Sequence, residues 1–202
     1  MFKIKKLPDY STKNLPIDIL NKFEVYERNH ASAILKQDFP NEYNEIIEVL
    51  KNFELTTQDI LTPGGRKSPI AEKLDGQFYK LGWLEKKFNI DVTVDDIDYP
   101  TPSHKVDCYK DRIGVEIEWN NKDPFYDRDL SNFRLLHDLN ALSVGVIITR
   151  SEELQQVFNQ LGKGSSYGAS TTHNGKLKPR IDGRGGGGCP LLVFAITKKC
   201  IL

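Results

Sequence analysis

The run VGVIIT, Val144 to Thr149, is almost entirely apolar. A segment so short, apolar at alternate and intervening positions alike, predicts a central strand covered on both faces. Such a strand needs neighbours, and the flanking sequence supplies them. Ile113 to Trp119 alternates, with Ile113, Val115, Ile117 and Trp119 on one face and Gly114, Glu116 and Glu118 on the other. Leu191 to Thr197 reads as a last buried strand. Between these, Leu130, Phe133, Leu136, Leu139 and Leu142 keep a helical period through Asp127 to Leu142. Ser151 to Leu161 predicts a short helix, opened by a serine with glutamates close behind it. Strand, helix, buried strand, helix and buried strand in this order describe one α/β domain. Its centre is a mixed β-sheet flanked by helices.

Upstream, Tyr43, Ile46, Ile47, Leu50 and Phe53 predict a helix over Pro40 to Phe53, with Asp38 or Asn41 as its N-cap. Pro63, Gly64 and Gly65 predict a turn. A second helix is expected from Ser68 or Pro69 to Trp83, with Pro69 in its first turn and Gly82 at its end. Val92 and Val94 lie in an alternating acidic stretch, YPTPS breaks the chain, and Val106 to Cys108 predicts a strand before Ile113. The stretch from 163 to 190 reads as one long basic loop containing GRGGGG, and loops of that length inside compact chains are usually functional.

The chain has 202 residues, 39% hydrophobic and 28% charged, which fits one globular domain and excludes wholesale disorder. Lysine and arginine balance aspartate and glutamate at 28 each, so total charge selects no partner. Local charge is uneven: Lys163 to Lys199 holds seven basic residues against the single acid Asp182, and Asp91 to Asp98 is acidic. No apolar run reaches membrane length, and MFKIKKLPDYS lacks the continuous apolar region of a signal peptide. Cys108, Cys189 and Cys200 are odd in number and lack metal-site spacing, which argues against a disulfide scaffold or a cysteine zinc site. A reducing cytoplasm is the expected compartment. Cys200 is third from the end, one place wrong for a prenylation box.

The chemistry is concentrated in Asp107, Glu116 and Glu118. Glu116 and Glu118 share one strand face about 7 Å apart, and Asp107 approaches the Glu116 end if the two strands pair. Three converging carboxylates repel one another unless a cation neutralises them. A hard ion such as Mg²⁺, with oxygen ligands, meets that need and supports phosphodiester hydrolysis. The competing reading is that alternate acids on a strand form its solvated face, paired with Lys110 or Lys122.

The stretch DCYKDRIGVEIEWN, Asp107 to Asn120, resembles the catalytic core of the PD-(D/E)xK nucleases. More narrowly it is similar to type II restriction endonucleases of the BglII and BstYI group, related to BamHI. In that group an Asp opens the motif, an acid lies nine positions later, and a Gln or Glu follows two beyond. Asp107, Glu116 and Glu118 match these positions, Glu118 following the BamHI-like E-x-E variant. FEVYERNHASAILKQDFPNEYNEIIEVL resembles the opening helices of BstYI-like enzymes, SPIAEKLDGQFYKLGWLEKK their second helical segment, and GCPLLVFAI a terminal strand. The resemblance covers roughly residues 23 to 200.

It implies a single nuclease domain over 1–202. The expected parts are a helical region 23–90, a catalytic core 91–150, a basic Gly-rich DNA-contact loop 162–190 and a final strand 191–197. Asp107 and Glu116 would ligate Mg²⁺, with the backbone carbonyl of Ile117 as a further ligand, and Glu118 would orient or deprotonate the attacking water. Glu72 is either an extra carboxylate of the site or an ordinary acid at a helix start, the second being favoured. The DNA-reading residues expected after the catalytic strand are Asn120, Asn121 and Lys122. From the long loop come Ser165, Ser166, Tyr167, Thr172, His173, Asn174, Lys176, Lys178, Arg180 and Arg184. Arg128 and Arg134 are either DNA or dimer contacts or a solvated helix face.

The activity this implies is Mg²⁺-dependent cleavage of double-stranded DNA at a short palindrome, leaving 5′-phosphate ends. A GATC-centred site is the guess the group suggests. A homodimer supplies the two-fold symmetry, and a cognate methyltransferase is expected in the same system without a stable complex. The alternative is a less specific PD-(D/E)xK nuclease of repair or recombination. A DNA-binding protein with a decayed site is disfavoured because all three acids are present.

Overall fold

The computed structural model describes residues 11–63, 67–99, 104–168 and 170–202. Gly64 and Gly65 of the expected turn, and residues 100–103 of the expected break, lie outside the described residues. In chain order the elements are α1 (Ser11–Asn14), α2 (Ile17–Lys22), β1 (Phe23–Arg28), α3 (Ala31–Asp38), α4 (Pro40–Asn52), α5 (Thr57–Leu61) and α6 (Pro69–Lys80). There follow β2 (Leu84–Phe88), β3 (Val92–Val94), β4 (Ile97–Tyr99), β5 (His104–Lys110), β6 (Ile113–Glu118), α7 (Phe125–Asp138), β7 (Val144–Arg150), α8 (Leu154–Gln160), α9 (Asn174–Asp182) and β8 (Leu191–Ile196). A 3₁₀ turn, Lys198–Cys200, ends the series.

Six strands form one mixed sheet in the order β1-β8-β7-β6-β5-β2. The centre β6-β7-β8 is parallel, and β1, β5 and β2 join antiparallel. All seven residues of β7 are buried, as its apolar run requires. The faces of the sheet carry two cores. Val146, Ile148, Ile117 and Phe194 pack toward α3, α4 and α6, while Ile147, Val193 and Gly114 face Phe133, Leu130 and Leu136 of α7.

Two glycines let α7 sit low on the sheet. A Cβ at Gly145 would meet the Phe133 ring at 2.5 Å, and one at Gly114 would meet Leu142 at 2.8 Å. Gly145→Ala therefore forces Phe133 out of place. The expected loss is about 1–3 kcal/mol, read as a lower denaturant midpoint with an unchanged slope.

Several boundaries differ from the sequence reading. Phe23–Arg28, expected within a helical region, is an edge strand paired with β8, Phe23 opposite Ile196. Only Phe23 of it is buried, so its alternation carries a weak signal. Neither Asp38 nor Asn41 caps α4: Phe39 is the N-cap, without a side-chain bond, and Pro40 supplies the first turn. Ser68 caps α6 as its sequence suggests, accepting from the Ala71 amide, and the helix ends where Gly82 (φ +84°) turns the chain. The expected loop 163–190 contains α9. The glycine run after it packs on α7, since a Cβ at Gly187 would meet the Arg134 side chain at 2.6 Å. All three cysteines are buried free thiols, and no described helix is long and apolar enough to cross a membrane.

Candidate active site

β5 and β6 are joined by a tight turn in which Asp111 (φ 42°) and Arg112 (φ 70°) both take left-handed backbone, the twist that suits a two-residue hairpin. Lys110 leaves this turn to pair with Glu45 at 2.6 Å. Ladder pairing between the strands runs from Lys110–Ile113 to Cys108–Val115 and stops there. Beyond it the Ile117 amide donates to Asp107 Oδ2 at 3.2 Å, so a side chain replaces the backbone partner and the strands part. Asp107 thereby faces the same space as Glu116 and Glu118.

That space is not a solvated face. Glu116 and Glu118 are each 1% exposed, under α7. Burial pushes the Glu116 carboxyl well above its usual range, and the charges of Asp129 and Asp107 raise it further. Burial and Asp129 push Glu118 up to about 9, although Asn121 and Arg128 pull the other way. Asn121 Nδ2 donates to Glu118 Oε2 at 2.7 Å and fixes its orientation. The floor is tied in place by Thr149, whose hydroxyl meets Tyr126 Oη at 2.6 Å and bonds the Glu118 carbonyl at 2.9 Å.

Asp129 is the residue that reading the sequence missed. It lies on α7 with no exposed surface, and burial raises its carboxyl too. Its signal was available: Tyr126, Asp129, Leu130, Phe133 and Leu136 form one buried helical stripe, and an acid within it has to face something. Arg128 holds Asp129 Oδ1 through Nε at 2.9 Å and Nη2 at 2.7 Å, and reaches Glu118 Oε1 at 3.5 Å. On the other side of the sheet, Asp75 of α6 is buried beside Cys108 and paired with Lys67. Glu72 is exposed in the first turn of α6, where a helix-start acid belongs.

The donor set fits a hard divalent cation: it is all oxygen, and Glu116 Oε1 and Asp129 Oδ2 are buried with no hydrogen-bond partner. Among the described residues no three acidic, histidine or cysteine side chains enclose a single ion position. The acids instead adjoin as two pairs, Asp107 with Glu116 and Glu118 with Asp129.

The expected DNA-reading residues divide. Lys122, Ser165, Ser166 and Arg184 are exposed, and Asn120 is half-buried in left-handed backbone (φ 58°). Tyr167, Thr172 and Asn174 are corrected to interior positions. Tyr167 stacks on Phe158 with ring centres 3.9 Å apart. Thr172 accepts from the Asn121 amide at 3.2 Å, and Asn174 bonds Glu24 and the Glu152 amide. Thr172 is drawn inward because residues 121–123 pair with 170–172, a contact between segments far apart in sequence, and Tyr167 by packing on Trp119 and Phe158. His173 is half-buried at the start of α9, where burial lowers its pKa. Lys176 and Arg180 pair with Asp123, Arg180 also with Asp127, and Lys178 with Glu24. Lys176 and Arg180 of α9 thus lie against the segment that leads into α7 and its first turn.

No curated protein gives a significant match to this chain. The family described as restriction endonuclease BglII/BglIII does match, over residues 23–196, which takes in every strand of the sheet and all four acids. The mixed six-stranded sheet with its flanking helices fits a PD-(D/E)xK-like core, and the chain belongs to the BglII/BglIII restriction endonuclease family.

Proposed function

We propose that the chain is a type II site-specific endonuclease. It hydrolyses phosphodiester bonds of double-stranded DNA with Mg²⁺, at a short palindrome, as a homodimer, leaving 5′-phosphate ends. The observation that carries the reading is Glu116. Its carboxylate is sealed from water between Asp107 and Asp129, with one oxygen unpartnered, and only a proton or a cation satisfies that oxygen. Membership of a restriction endonuclease family supports the cation and supplies DNA as the substrate.

Asp107 and Glu116, with the Ile117 carbonyl, would hold the ion. When bound, it makes water a better nucleophile and stabilises charge on the phosphate and the leaving oxygen. Glu118 would orient the attacking water; burial and Asp129 keep its carboxyl protonated in the metal-free protein, and a bound cation would favour the ionised form that can take up the water's proton. Asn121 holds Glu118 in that orientation, and its place beside the catalytic strand also suits contact with a base edge. Exposed Lys122, Ser165, Ser166 and Arg184 supply phosphate contacts.

The test is digestion of a sequenced phage genome with and without EDTA, followed by sequencing of the ends. Discrete Mg²⁺-dependent cuts at one shared palindrome are expected. A Mg²⁺-dependent smear would instead identify a nuclease of low specificity. Absence of cleavage with every divalent metal tried would remove the enzymatic reading.

A further inference from the structure

We infer that the β3–β4 hairpin is a dimerisation arm, its apolar face taking the same face of a second copy of this chain; this rests on the homodimer reading above. In the ladder Val92 pairs with Tyr99 and Val94 with Ile97, so these four side chains share one face of the ribbon. Each is between 41% and 57% exposed, and none belongs to either core. Thr93 and Asp98 occupy the other face, where their side chains bond at 2.7 Å. A two-stranded ribbon is marginal in water by itself. One polar and one apolar face is the pattern of a sheet that packs on something.

The charges select the occupant. Asp91, Asp95, Asp96 and Asp98 are all exposed and repel phosphates, so DNA is not the cover. A second ribbon brings a matching apolar face, and its root brings the opposite charge, since exposed Lys86, Lys87 and Lys105 lie where the hairpin leaves β2 and β5. Lys105 pairs with Glu85, and Lys86 lies over the Phe88 and Tyr109 rings, so among the described residues of this root Lys87 is left for a partner. Two ribbons stacked about a two-fold axis run either parallel or antiparallel. The parallel choice sets one acidic tip against the other. The antiparallel choice sets Asp95 and Asp96, the left-handed turn at the tip, beside Lys87 of the partner subunit. The root also lies at the end of the sheet that carries the acids, because Phe88 pairs with His104, three residues before Asp107. A junction there brings two centres toward each other, as cutting both strands of one palindrome requires.

The experiment is sedimentation equilibrium of the full chain, without DNA, over a range of concentrations at low salt. The substituted residues are exposed, and near-UV circular dichroism confirms that each variant keeps native packing. Val94→Lys with Ile97→Lys is expected to raise the dimer dissociation constant by about a hundredfold or more. Lys87→Glu alone should weaken the dimer severalfold. Asp95→Asn with Asp96→Asn in that same chain should cancel the loss, since asparagine keeps the left-handed turn and removes the charges. An unchanged constant in the Val94 and Ile97 variant would overturn the inference and leave the homodimer reading intact. A dimer lost in that variant but not recovered by the asparagines would place the arm elsewhere on the partner and overturn ribbon-to-ribbon pairing. If wild type stayed monomeric at every concentration, the homodimer reading itself would fall and take the inference with it.

Discussion

Glu116→Gln is expected to abolish cleavage while raising the melting temperature of the metal-free protein. The carboxylate it removes is buried, lacks a partner on Oε1 and faces the negative charges of Asp107 and Asp129. A glutamine of the same shape donates an N–H to either neighbour without the proton uptake that burial forces on Glu116 in the metal-free protein. A gain of about 1–3 kcal/mol follows, roughly 2–12 °C for a domain of this size. Catalysis should fall by about 10²–10³-fold or more, the scale of losing one charge-positioning group. Scanning calorimetry in EDTA and plasmid cleavage in Mg²⁺ measure the two sides. A variant that melts lower, or that still cuts, would show that Glu116 is a structural acid. The opposition arises because a centre built to hold a cation is strained without it.

The second large effect is a loss of metal-free stability as pH rises. The Glu118 carboxyl goes from an ordinary 4.5 to about 9 in the folded protein, pushed up by burial and by Asp129. An acid with a raised folded value binds its proton more tightly when folded. Below about pH 4.5 both states are protonated and the shift costs nothing. Between 4.5 and 9 the unfolded chain is ionised and the folded one is not. Stability then falls by at most about 1.4 kcal/mol per pH unit per such group. Above the folded value the loss is complete. Thermal unfolding in EDTA from pH 5 to 9 should show a steady decline that is shallower in Glu118→Gln, the difference isolating this residue. Adding Mg²⁺ at pH 8 should restore more stability than adding it at pH 5.5, because the ion replaces a proton at the acids. A melting temperature that is flat or rising across this window in wild type, with no difference from Glu118→Gln, would rule the effect out.

Much of the sheet is legible in the residues alone. Val144–Arg150 and Leu191–Ile196 are buried at every position, so composition alone marks them. Ile113–Glu118 announces itself by alternation, and the same alternation puts Glu116 and Glu118 on one face. What the pattern does not tell is that this face is covered: an acid alternating with apolar residues looks the same beneath a helix as beneath water. The cover depends on Gly114 and Gly145 accepting Phe133, a contact between elements that local sequence does not encode. β1 was missed because an edge strand with one buried residue has little to alternate. α9 was missed because Gly175 and Pro179 lie inside it, and both argue against a helix. Tyr167 and Thr172 read as polar loop residues, and it takes the rings of Trp119 and Phe158 for the one and the pairing of 121–123 with 170–172 for the other to turn them inward.

The outermost strand on one side of the sheet, β1, pairs with β8, so Phe23 meets Ile196 across nearly the whole chain. β7, which backs the strand of Glu116 and Glu118, also takes β8 as its neighbour. A chain leaving the ribosome has both of these waiting partners well before residues 191–196 emerge. The sheet closes only when that segment arrives, as expected for contacts so distant in sequence. A prematurely terminated copy therefore lacks the strand that completes the scaffold behind the acids. Until then the sheet that carries Glu116 and Glu118 stands open along the outer edge of β7.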